Sequence, residues 1–198
     1  MFMSIPRIEF CYSWVYDNHW REFYPNCEGY PSSEKIEKNL LRIKTEWQKC
    51  GDEILKELEK ISGLKWRDKT IPCYVVGKCI PFSSPLTIMV YGDYPLDYVA
   101  DVLTHELVHR LLIQNETQTG NIWKYLFRKY KKEEFNTIIH IPVHAIHCHI
   151  FMKYFGEERL KREMEIMKDL PDYKRSWNIV MEEGAEKIME EFRVRIKV

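Results

Sequence analysis

The chain has 198 residues, 45% of them hydrophobic and 30% charged, so a single core can form without disulfide or metal staples. Its 30 basic side chains are balanced by 30 acidic ones. That balance argues against a broad nucleic-acid footprint, which needs a basic excess, and no nucleic-acid partner is expected. No apolar run approaches a membrane span and the start, MFMSIPRIEF, lacks the pattern of a secretory signal, so a cytoplasmic protein without membrane attachment is expected. The six cysteines form no C-x-x-C pair, which removes the zinc-ribbon and thioredoxin-like motifs.

In chain order, residues 5–16 hold a short strand, with Ile8, Phe10 and Tyr12 among its apolar members. Residues 18–32 read as loop, punctuated by Pro25, Asn26, Gly29 and Pro31. Ser32 or Ser33 caps a long helix over about 33–62, carried by Ile36, Leu40, Ile43, Trp47, Leu55 and Leu58 and kinked near Gly51. Two β-type runs follow, 71–76 (IPCYVV) and 86–91 (LTIMVY), as a hairpin or as neighbouring strands. Gly92 and Asp93 end the second run, and Pro95 opens a helix to about residue 114. Residues 114–120 form a polar break, and Asn121 caps the next helix. A helix from near Pro142 to about Phe155 and two charged helices, 157–169 and 173–193, complete the chain. The basic cluster Lys124, Arg128, Lys129, Lys131 and Lys132 is followed at once by Glu133 and Glu134 and reads as a solvated helix face. The sum is a mostly helical α+β fold with a small sheet: one domain over 1–198, its core about 71–155, a helical extension at 33–62 and C-terminal helices at 157–193.

The chemistry lies at His105-Glu106-Leu107-Val108-His109. Two histidines four apart on a helix share one face one turn apart, so both imidazoles can hold one tetrahedral zinc. Glu106 is offset around the helix and reaches the water that such an ion acidifies, as general base and then as proton donor to the leaving amine. Leu103, Leu107 and Leu111 form the opposite, core-facing row. A catalytic zinc needs a third protein ligand. Four of the seven histidines fall within residues 140–149 (HIPVHAIHCH), and His140, His144 and His147 make one helical stripe opposite Val143, Ile146 and Ile150.

Residues 86–150 resemble the core of HExxH zinc metallopeptidases of the zincin class, in particular the compact gluzincins. The resemblance implies a zincin-like fold with the motif helix following a strand, one catalytic zinc, and an extended peptide or protein as substrate, bound along the strand LTIMVY. In that family a glutamate on a later helix is the third ligand, and an aspartate four residues on orients a histidine. Here those positions carry His140 and His144. Either His140 is the ligand with His144 behind it, or His144 binds the ion itself. Pro142, read as a helix start, leaves His140 at the entrance and favours His144. Glu133, Glu134, Glu182 and Glu183 are weaker candidates. The metzincin third histidine is absent after His109. His147, Tyr154, Tyr94 and Arg110 are candidate donors to the oxyanion. A non-catalytic zinc-binding regulatory or interaction protein is the alternative. A di-iron carboxylate protein is disfavoured because no second E-x-x-H exists.

Overall fold

A computed structural model of the protein describes residues 5–26, 28–90 and 95–196. The chain forms nine α-helices and four strands among these residues. It is therefore α+β and mostly helical, and it divides into two compact units.

The first unit comprises Met1–Leu55 and Trp66–Arg110. Its sheet contains β1 (Arg7–Cys11), β2 (Thr70–Val76), β3 (Phe82–Ser83) and β4 (Leu86–Met89), in the order β1-β2-β4-β3. β1 runs parallel to β2 with Arg7 opposite Thr70, and β2 runs parallel to β4 with Val75 opposite Ile88. The two apolar runs expected as a hairpin or as neighbours are thus parallel neighbours. The hairpin is instead β3 with β4, where Phe82 faces Thr87. β3 therefore covers the first two residues of β4, so the strand expected to receive a peptide along its edge lies inside the sheet there. Ile71, Cys73, Val75, Leu86 and Ile88 are buried.

Residues 18–32 are not all loop. α1 (Trp14–Phe23) starts at Ser13, whose hydroxyl accepts from the Tyr16 amide at 3.4 Å. Its Asp17 is buried and holds a distant turn: Oδ1 accepts from the Gly77 amide at 2.7 Å and from the Tyr30 hydroxyl at 2.8 Å. A side chain at Gly77 would collide with the Tyr30 ring, so only glycine lets that ring cover the turn. The expected helix over 33–62 is two: α2 (Ser33–Trp47), capped by Ser32, and α3 (Gly51–Ser62). The break falls where Trp47 folds onto Gly51, at which any Cβ would run into the indole. α4 (Leu96–Gln114) matches the expected span. Gly92, Asp93 and Tyr94 lie outside the described residues.

The second unit comprises Lys56–Lys65 and Leu111–Val198. α5 (Glu116–Lys129) begins five residues before the expected cap, directly after Asn115, whose amide is committed to the Leu111 and Lys65 carbonyls. α6 (Phe135–Ile150) contains Pro142 in its interior rather than at its start, and ends in a π-helical turn, Phe151–Phe155. α7 (Glu157–Ile166), α8 (Pro171–Glu183) and α9 (Ala185–Arg193) follow, with the last two meeting at Gly184. α6 packs against α8 and α9. Burial of nearly its whole circumference outweighs the hydrogen bond that the proline forgoes. The basic cluster is not wholly solvated, because Lys129 pairs with Glu183 at 2.6 Å and Glu191 at 2.8 Å. Among the described residues no helix is long and apolar enough to cross a membrane.

Candidate metal centre

In the first unit, α4 brings His105 and His109 together. Their Nε2 atoms are 3.2 Å apart and their rings are inclined at 60° with centroids at 4.9 Å. The helix presents them because the opposite row is apolar and buried: Leu103 and Leu107 are fully enclosed. His105 and Glu106 are themselves buried, whereas His109 is half-buried. Burial raises the Glu106 carboxyl to about 8, so without a nearby cation it holds its proton at neutral pH. Cys79, also buried, lies close enough to feel that carboxylate. Burial first and Glu106 second push its thiol up to about 12.

Two neutral imidazoles whose ring nitrogens approach this closely have two possible states. One ring donates a hydrogen bond to the other, or both direct lone pairs at a shared cation. The 3.2 Å separation suits the first state and is close to that of the second. A tetrahedral ion with nitrogens at ~2.0–2.1 Å holds them roughly 3.3–3.4 Å apart.

In the second unit, α6 carries the other histidines. His140 is buried, and its Nδ1 lies 2.7 Å from the Asn136 carbonyl. A carbonyl only accepts, so Nδ1 bears the proton and Nε2 carries the lone pair, the tautomer of a ligand whose other nitrogen is tethered. Burial lowers the His140 pKa, which favours the neutral form. Tyr173 lies against this ring at 4.2 Å.

His144 has other company. Ser176 Oγ lies 2.7 Å from its Nδ1 and donates to the Tyr173 carbonyl at 2.9 Å, so the histidine must be the donor to Ser176. The ring also stacks on Trp177 at 4.2 Å and 8°. His147 is fully buried against Phe151.

Of the remaining candidates, Arg110, Glu133, Glu183 and Tyr154 are engaged elsewhere. Arg110 is tied to Asp68 at 2.7 Å and Ser84 at 3.0 Å, which fixes it as a brace in the first unit. Glu133 forms a two-pronged pair with Arg175, and Glu183 accepts from Lys129 and Tyr130. Tyr154 is half-buried, with Lys153 over its ring. Tyr94 lies outside the described residues.

Cys79, Tyr173 and Ser176 escaped sequence reasoning. Cys79 lies well before the start of α4 at Leu96, and no spacing links it to Glu106. The only available signal for the other two was that Tyr173 and Ser176 lie three apart on α8, a spacing that places both on one helical face.

Compared with protein-family models, with curated proteins and with solved structures, the chain matches none of them.

Proposed function

We propose that the protein is a zinc-dependent hydrolase acting on peptide bonds, with the ion held by His105, His109 and His140. The observation that carries this reading is the 3.2 Å between the His105 and His109 ring nitrogens. Both His140 and His144 have Nδ1 tethered, by Asn136 and Ser176 respectively, and His140 takes the third place because the His144 ring is fully enclosed and stacked flat on Trp177. Three neutral imidazoles suit zinc and leave a fourth tetrahedral position for a small ligand.

When bound, zinc supplies Lewis-acid polarisation of a carbonyl and acidification of a water molecule. The residues supply the rest. Glu106, next to the first histidine, is placed to accept a proton at its carboxylate and to return it to the departing amine nitrogen. Its burial holds the proton-accepting group away from bulk water, and a neighbouring dication favours its ionised form. Asn136 holds the His140 ring in one orientation through Nδ1. Leu103 and Leu107 lock α4 so that the two histidines do not splay.

The test has two readouts. Metal-free protein is titrated with zinc against a chromophoric chelator, and the expected stoichiometry is one. The loaded protein is then assayed on a fluorogenic peptide mixture beside its Glu106→Gln variant. Retained zinc with hydrolysis lost in the variant is expected. Zinc bound with no hydrolysis by either protein leaves the non-catalytic zinc module, and no zinc bound at all ends both readings.

A further inference from the structure

The face of α4 that carries the chemistry does not end at His105. Positions 95, 99, 102, 106 and 109 follow the i, i+4, i+7, i+11, i+14 rhythm of one helical stripe. Val99 and Val102 line a groove of 640 Å³ within the first unit, together with Met89 from β4. Val102 and Glu106 are about 6 Å apart along the helix axis at 1.5 Å per residue. The α4 lining of the groove ends at Val102, about one helical turn before Glu106 on the same stripe.

The opposite wall is different in kind. α2 turns Lys35, Lys38 and Arg42 towards the groove, at i, i+3 and i+7 on one stripe. All three are exposed. Arg42 donates to Asn39 Oδ1 at 3.1 Å, and no ion pair among the described residues engages any of the three cations. Glu34, at the first turn of α2, is the only acidic side chain among the described residues lining the groove. Pro95 and Leu96 bring the N-terminal end of α4 to the same cavity, and that end of a helix carries partial positive charge. The groove thus pairs an apolar wall with a wall of net positive charge, three cations against Glu34, and its volume is within the range of ligand sites.

We propose that this groove receives the substrate: a peptide with an apolar stretch lying on Met89, Val99 and Val102 and a carboxylate met by Lys35, Lys38 and Arg42. The proposal rests on the hydrolase reading for the fate of the peptide, but the binding itself requires no metal. Two aligned walls of opposite character fix the direction in which the peptide lies, and the shared stripe of α4 carries its far end toward Glu106.

The experiment uses the full chain as its Glu106→Gln variant, with and without zinc. Fluorescein-labelled peptides of about eight apolar residues end in Asp-Asp, Asn-Asn or Lys-Lys, a length set by the roughly 3.3 Å per residue of extended chain. Fluorescence anisotropy is expected to rank Asp-Asp first, about tenfold tighter than Lys-Lys, as two partly exposed charge contacts would give. The preference should shrink at high salt, where such contacts are screened. Lys38→Glu combined with Arg42→Glu, both surface changes, should invert the order. Equal affinity for all three peptides, or an order that survives the charge reversal or high salt, overturns the proposal. So does decanoate displacing the peptide at equal or lower concentration, which would assign the groove to a free amphiphilic anion. Acid-selective binding in a protein that takes up no zinc upholds the groove and removes the hydrolase reading. Zinc-dependent hydrolysis without acid preference does the reverse.

Discussion

Glu106 offers a stability measurement that needs no substrate. Burial raises its carboxyl from 4.5 to about 8. A carboxyl raised in the folded state contributes stability that is fully present below its unfolded value and is lost as pH rises through the folded value. The window for the metal-free protein is therefore pH 4.5 to 8. Each unit is about 1.36 kcal/mol, so between pH 5 and pH 8 the folded state should lose about 3 kcal/mol to this group. Glutamine is isosteric and does not ionise. Urea unfolding of chelator-treated wild type and Glu106→Gln, measured at about pH 5, 6.5 and 8, should show the variant gaining on the wild type by about that amount. All other titrations cancel in the difference. Parallel stabilities across the window would mean that water reaches the carboxylate, and the case for a sequestered base would go with it. Zinc added in excess should narrow the difference at about pH 8, because a cation beside the carboxylate favours the charged form.

Three further outcomes are expected. His140→Ala should weaken zinc binding by at least about 100-fold in chelator competition, while His144→Ala should keep a stoichiometry of one and cost about 3 kcal/mol in urea unfolding through lost packing on Trp177. Asp17→Ala strands the Gly77 amide and the Tyr30 hydroxyl, and should cost about 3 kcal/mol without changing zinc affinity. A double-mutant cycle on Arg110 and Asp68 should give about 1 kcal/mol of coupling with zinc affinity unchanged, as a half-exposed brace would.

The parts of this fold legible in the sequence are those governed by local rules. α4 was readable because a proline start, an acidic first turn and an apolar row agree on one helix, and its histidines then had only one arrangement. Ser32 marked the start of α2 in the same way. What failed depended on partners distant in the chain. α1 looks like loop until Asp17 is seen holding Gly77, sixty residues away. β3 is two residues long, too short for any period, yet it decides which strand forms the sheet edge. Pro142 was the costliest ambiguity. A proline suits the first helical turn, but α6 is enclosed by α8 and α9, and packing carried the helix back to Phe135. That shift moved His140 from a helix entrance to a fixed position in its second turn, and so reversed the order of preference between His140 and His144.

Because one stripe of α4 serves both groove and chemistry, the helix acts as a ruler with no slack. Inserting or deleting a single residue between Val102 and Glu106 would turn the carboxylate by about 100° relative to the valines that precede it. Length variation in this protein should therefore be absent from that turn.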